Sequence, residues 1–322
     1  MKQLMKILKI VLSIIMISVL SIIILFSHKD IPLNELKLNY TNSDSSFINI
    51  NGTNVHYRDE GNSNDSIPIV LIHGTGSSLH AYDIWSDNLK KNNRIIRMDL
   101  PAFGLTGPFL SRDYSISNYT TFLKEFLDSI NIRQCILVGN SLGGEIAWRF
   151  ALEEPLMAKK LILIDPSGYP VISKSVPIGF KLAKIPILNK FLTYITPRFL
   201  VRLSVENVYF DKSKVSDSLV NRYFELTLRK GNRNAIIDRL MVSTTLTNGT
   251  KTHTSIKNIK KPTLIIWGSD DQLIPVENAY KFNNDITNSK LVVMQQTGHV
   301  PMEEKPLESL KFTIDFLNNQ SN

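Results

Sequence analysis

The chain opens with an apolar run that no later segment matches. From Ile10 to Phe26, seventeen consecutive residues carry no charge. At ~1.5 Å rise per residue such a helix falls slightly short of a ~30 Å hydrocarbon core. Ile7 and Leu8 lengthen the stretch, and the stem of Lys9 can snorkel. A polar stretch follows at 29–45. "FININGTNVHYRDEG" then carries two alternating runs about an Asn-Gly pair, which predicts a β-hairpin. After it the pattern changes to short continuous apolar runs: "IPIVLIHGTG", "RIIRMDLPAFG", "QCILVGNS", "KKLILIDPSG", "KPTLIIWGSDD" and "SKLVVMQQTGH". Each reads as a buried strand that ends in a glycine-rich or acidic turn. "NYTTFLKEFLDSI" and "LGGEIAWRFALEEP" lie between them with helical spacing.

Buried apolar strands alternating with helices specify an α/β fold, a mostly parallel central sheet with helices on both faces. Ligands bind such sheets at the carboxyl ends of the strands. The rhythm stops at 169–257, where "PIGFKLAKIPILNKFLTYITPRFLVRL" and "SDSLVNRYFELTLRKGNRNAIIDRLMV" read as helices. Inserted after the sixth strand, counting the hairpin, they are expected to cover the carboxyl end of the sheet as a lid. The expected organisation is a transmembrane anchor at 1–28, a tether at 29–45, a core at 46–168 and 258–319, and a helical cap at 169–257.

Composition sharpens two points. With 43% hydrophobic and 20% charged residues among 322, the chain is globular and long enough for a sizeable core. Cys135 is the only cysteine, so an intrachain disulfide and a cysteine-based metal site are both excluded. The formal net charge is +8, and Val171 to Leu240 alone holds thirteen Lys and Arg against five Asp and Glu, also +8. The excess charge therefore sits in the cap, mixed with apolar residues. That mixture suits either a solvated lid or a lid resting on a membrane; no nucleic-acid partner is expected. Lys2, Lys6 and Lys9 precede the apolar run, which puts the N-terminus inside and the bulk of the chain outside the cytoplasm. A cleaved signal is the competing reading. It requires an apolar region of about 7–15 residues and a small-residue cleavage site, and "LFSHKD" offers none.

The candidate chemistry lies at the strand ends. Gly139-Asn140-Ser141-Leu142-Gly143 stands between a strand and a helix. A nucleophile on so sharp a turn needs small neighbours, and the turn aims the free N–H groups of the helix at the reacting oxygen. A serine needs a base, and the base needs orientation. Of six histidines, His299 follows the last strand and reaches the same sheet edge as Ser141. Between the two, "IIWGSDDQLIP" supplies acids, so the order is Ser, Asp, His.

"HGTG", "DLPAFG", "GNSLGG", "WGSDDQLIP" and "GHVPMEEKP", in that order over Phe47 to Asn318, resemble the α/β-hydrolase superfamily. The similarity is to its lidded branch of esterases, lipases, carbon–carbon hydrolases, haloperoxidase-like enzymes and proline iminopeptidases. The resemblance implies a catalytic Ser141, Asp271 and His299, with Asp165 as the reserve acid because some relatives carry theirs there. It implies an oxyanion hole from the N–H groups of Leu142 and Thr75, with Gly76 second to Thr75 and His73 as a structural tie. It implies no cofactor and no metal. Ala102 departs from the family's glycine in the "DLPAFG" turn. The expected reaction is hydrolysis of a small-molecule or lipid ester through an acyl-enzyme. Two alternatives stand beside it. Carbon–carbon hydrolases share "GNSLGG" but typically carry tryptophan after the histidine, where this chain has Val300. Hydrolase-fold proteins also serve as non-catalytic binding modules.

Overall fold

A computed structural model describes residues 1–245 and 252–318. The expected cap's residues 246–251 and the expected core's residue 319 lie outside the described residues. Eight strands form one sheet: β1 (Ser45–Ile50), β2 (Thr53–Gly61), β3 (Ile69–Ile72), β4 (Arg94–Met98), β5 (Cys135–Asn140), β6 (Ala158–Ile164), β7 (Thr263–Gly268) and β8 (Ser289–Met294). Their spatial order is β1-β2-β4-β3-β5-β6-β7-β8. β1 and β2 form the expected hairpin, with Asn51 and Gly52 both at positive φ in its turn. β2 runs antiparallel to β4, and β3 to β8 are parallel. The chain steps one way from β3 to β4, then returns past β3 to β5. That reversal opens a crevice at the carboxyl ends of β3 and β5, where such sheets bind ligands.

Thirteen helices are described. They are α1 (Lys2–Phe26), α2 (Leu33–Tyr40), α3 (Asp83–Leu89), α4 (Ile116–Ser129), α5 (Leu142–Glu153), α6 (Ile178–Ala183), α7 (Leu188–Leu192), α8 (Arg198–Glu206), α9 (Asp217–Thr227), α10 (Asn232–Thr245), α11 (Glu277–Asp285), α12 (Pro301–Glu304) and α13 (Pro306–Asn318). The sheet is buried on both faces, which explains its unbroken apolar strands. Val70 and Ile72 of β3 pack into one core with Phe126 of α4 and Trp148 of α5. Ile69 and Leu71, pointing the other way, join Trp85 of α3 and Leu310 of α13. Helices α6 to α10 lie in the insertion between β6 and β7, and Pro177 and Pro197 start two of them, α6 and α8.

The segment 29–45 is not a free tether. Leu33 and Leu36 stand three residues apart and Tyr40 four further on, one face of a helix. Leu36 is buried between Leu105 of the core and Leu226 of the cap. Ile31 pairs by backbone hydrogen bonds with Leu228 and Lys230, and Asp30 meets Arg233 at 2.6 Å. The Tyr40 hydroxyl donates to Glu225 at 2.8 Å. The polar appearance of this stretch comes from its outer face. Of its apolar side chains Ile31, Leu33, Leu36 and Tyr40 pack inward, while Leu38 stays exposed.

Candidate active site

Ser141 sits between β5 and α5 with φ 53° and ψ −113°, a strained conformation for a residue with a side chain. The glycines around it allow close packing at this turn. A Cβ on Gly139 would fall 2.2 Å from Gly143 O, and one on Gly143 would fall 2.2 Å from Ile72 O. The Ser141 side chain makes no capping bond to its own helix, so the hydroxyl is not committed to the turn. Leu142 opens α5, so its N–H has no intrahelical acceptor. Gly74 packs against the nucleophile position; a Cβ there would lie 3.2 Å from Ser141 Cβ. Thr75 follows, half-buried, in the lining of the same cavity.

His299 Nδ1–H donates to Asp271 Oδ2 at 2.6 Å, with both residues buried. Asp271 Oδ1 accepts from the Leu273 and Ile274 N–H groups at 2.8 and 3.0 Å, which fixes the carboxylate. His299 Nε2 makes no hydrogen bond among the described residues and is buried. His299 and Ser141 line one cavity. Asp165 lies beside this pair: an oxygen from each carboxylate and a His299 nitrogen fall within 4.8 Å of one another. Asp165 Oδ1 accepts from Gly268 N–H at 3.0 Å. Burial, followed by the negative charge of Asp271, holds the Asp165 carboxyl well above the usual carboxylate range. Two adjacent buried carboxylates cannot both ionise cheaply, and Asp165 is the one whose protonated form is favoured. Three such groups have the donor types of a metal site. Among the described residues their oxygens are committed to these hydrogen bonds, apart from Asp165 Oδ2.

His73 is a tie and not a base. Its Nδ1–H donates to Gly74 O at 2.8 Å and its Nε2 accepts from Leu100 N–H at 2.9 Å. Burial lowers its pKa, which keeps it neutral. A second buried pair, His56 Nδ1 to Asp99 Oδ2 at 2.7 Å, holds the same loops together. Asp99 also accepts from Leu79 and Leu105 N–H groups. Burial would raise its pKa, but the His56 hydrogen bond and the nearby histidines outweigh this and keep it below the carboxylate range.

Several supporting residues escape a reading of the sequence. Asn140 Nδ2 donates to His299 O at 3.0 Å and Ile164 O at 3.2 Å, linking nucleophile turn and histidine loop. Buried Glu304 accepts from the N–H groups of Gly298, Phe210 and Asp211, so the histidine loop and the cap share one carboxylate. The Tyr223 hydroxyl donates to Glu303 and lies 3.3 Å from Ser77 Oγ, tying the cap to the Thr75 loop. Asn140 lies within "GNSLGG" and Glu303 and Glu304 within "MEEKP", but their partners do not show in either motif.

The cavity measures about 1070 Å³ and runs from Ser141 and His299 up into the cap, where Phe180, Leu192, Leu200 and Val205 line it. Comparison with known proteins agrees with this architecture. A 2-hydroxy-6-oxo-2,4-heptadienoate hydrolase of Pseudomonas putida is 27% identical over 82% of this chain and 92% of its own. An uncharacterized hydrolase of Bacillus subtilis, YugF, is 28% identical over 83% of this chain and 96% of its own. The crystal structure of a membrane phospholipase A, 20% identical, superposes with a TM-score of 0.72 over 99% of this chain and 98% of that one; at this identity the likeness is one of fold. Residues 69–310 match the family model described as "Alpha/beta hydrolase family", and it is to this family that the chain belongs.

Proposed function

We propose that the chain is a membrane-anchored serine hydrolase that cleaves carboxylic esters. The observation that carries the reading is Ser141 on a strained turn, sharing one large apolar-lined cavity with a His299 already oriented by Asp271. In this reading Ser141 Oγ attacks the ester carbonyl while His299 Nε2 takes its proton. Asp271 keeps the imidazole in the Nδ1–H tautomer and stabilises the imidazolium. The N–H groups of Leu142 and Thr75 hold the oxyanion of the tetrahedral intermediate. His299 returns the proton to the departing alcohol, and water activated by the same nitrogen releases the acyl group from Ser141. α1 crosses the bilayer once, with Lys2, Lys6 and Lys9 on the cytoplasmic side and the hydrolase outside. Its length and uncharged apolar stretch support the crossing.

A panel of p-nitrophenyl esters of graded acyl length tests the chemistry, with a fluorophosphonate probe for Ser141. Turnover and a covalent adduct on Ser141 are expected. A folded protein that takes no adduct and cleaves no ester sinks the reading. The second reading is carbon–carbon bond hydrolysis, favoured by the similarity to the heptadienoate hydrolase. That substrate is a carboxylate; of the three arginines lining the cavity, Arg149 is paired with Glu145 and Arg233 with Asp30, while buried Arg239 forms no ion pair among the described residues. Cleavage of a 2-hydroxy-6-oxo-dienoate faster than every ester would reverse the order of the two readings.

A further inference from the structure

α1 does not end in open chain. Thr196 N–H donates to Phe26 O at 3.1 Å, Ser27 bridges to Ile195, and His28 N–H donates to Tyr194 O at 3.1 Å. The Phe26 ring meets Phe199 edge-on at 5.7 Å. The apolar helix is thus bonded to the turn between α7 and α8 of the cap. A bilayer that takes up α1 brings this turn to its boundary.

The outer surface around the junction is apolar. Ile187 is 69% exposed, Phe191 51%, Tyr194 70% and Phe199 51%, and no residue of α7 is buried. At its tip Ile187 has φ 74°, a conformation that β-branched residues rarely adopt. Contiguous exposed apolar surface of this kind marks a site of contact. The charges around it fit an anionic leaflet. Arg198 and Arg202 are paired with Asp217, and Arg222 is paired with Glu303. Lys181 and Lys190 are exposed and form no ion pair among the described residues. The inner side of the same segment faces the other way: Phe180, Ala183, Leu192, Thr196 and Leu200 line the cavity that holds Ser141. A single layer of chain therefore separates the exposed face from the cavity.

We infer that this face, from α6 to the first turn of α8, seats in the outer leaflet of the bilayer that holds α1, and that the ester is a lipid whose acyl chain enters the cavity through this wall. The second half rests on the ester-hydrolase reading; the seating does not. Continuity decides the occupant, since α1 and the exposed face meet through backbone hydrogen bonds. Entry through the wall also keeps the acyl chain out of water, where every exposed methylene is unfavourable. Lys181 and Lys190 then lie at headgroup depth, attracted to anionic lipid.

The test uses the full chain in vesicles of mixed neutral and anionic phospholipid. Cys135 is buried and its thiol is pushed up to about 12 by that burial, so one introduced cysteine takes the label. Ile187→Cys and Phe191→Cys carry an environment-sensitive fluorophore. Leu156→Cys is the control, 84% exposed and near the opposite end of β6. Brominated lipid is expected to quench positions 187 and 191 several-fold more than 156. Equal quenching at all three overturns the seating, and so does shielding from aqueous quencher without quenching by lipid, the result expected if a second copy of the chain covers the face. For entry, Phe191→Asp and Ile187→Asp are each expected to lower hydrolysis of a vesicle-borne long-chain glycerol ester by tenfold or more. Turnover of p-nitrophenyl butyrate stays within twofold. Equal loss on both substrates in both variants, or loss on neither, overturns the entry route. If the unaltered chain cleaves neither ester, the ester reading fails, and the quenching still reports the seating.

Discussion

At the scale of single residues, two buried carboxyl groups stand within reach of His299, and their hydrogen bonds divide the work between them. Asp271 accepts from His299 and from two backbone N–H groups, which hold its carboxylate against the imidazole. Asp165 accepts one, and burial beside Asp271 favours its protonated form. Asp271→Asn is therefore expected to lower kcat by ~10⁴-fold, since an amide orients the wrong imidazole tautomer. Asp165→Asn is expected to leave kcat within tenfold, because Asn is a neutral isostere of the protonated acid. Steady-state ester kinetics check both, and a reversed pattern would move the triad's acid to Asp165. Stability gives an independent reading. A carboxyl whose folded pKa is raised contributes stability that is fully present below its unfolded value, ~3.9, and lost as pH rises through the folded value. Asp165→Asn lacks this dependence. Its melting temperature, relative to the unaltered chain, is expected to climb as pH rises from about 4; thermal melts across pH 4 to 8 measure it. The placing of Ser141, Asp271 and His299 at one edge of the sheet was legible in the sequence because each sits in a short motif at a strand end. Asn140, Tyr223 and Glu304 were not, because their roles arise from contacts across 80 to 159 positions.

At the scale of elements, the strands were legible and the strap was not. Apolar runs flanked by turn residues mark a two-faced sheet without any knowledge of its order. The strap at residues 27–41 has one short helix, and only Leu36 on it is fully buried. Its stability is tertiary, drawn from Leu105, Leu226, Glu225 and Arg233. Such an element carries little signal of its own. Leu36→Ala removes the side chain that joins core to cap. It is expected to cost ~2–5 kcal/mol, the range for a buried leucine, with the loss felt first as opening of the strap and the α9–α10 turn. Hydrogen exchange at residues 27–40 and 224–233 checks this; faster exchange spread evenly over β3 to β8 instead would mean the strap is part of the global unit.

At the scale of the whole molecule, the hydrolase body and α1 are separable in chemistry. The body has its own double-sided core, whereas the apolar stretch of α1 is buried against none of the described residues. The full chain is expected to stay with membranes through alkaline carbonate extraction. A chain beginning at Ser27 keeps the strap and is expected to be soluble, with p-nitrophenyl butyrate turnover within threefold of the full chain. Release of the full chain by carbonate, or a mature N-terminus mapped beyond Phe26, would remove the anchor from the proposal.

The bond between the last turn of α1 and the turn before α8 makes the helix a lever. Its uncharged stretch of seventeen residues spans ~25 Å, slightly short of a ~30 Å hydrocarbon core, so in the proposed crossing a thicker bilayer would strain its ends more than a thinner one. That strain would pass through Phe26 and Ser27 to the strand of chain at Tyr194 to Thr196, of which Thr196 lines the cavity. If α1 is anchored as proposed, membrane thickness would thereby be a mechanical input to the hydrolase. In vesicles whose lipids differ only in acyl length, turnover of one soluble ester is expected to vary with thickness for the full chain and to stay flat for the chain that begins at Ser27.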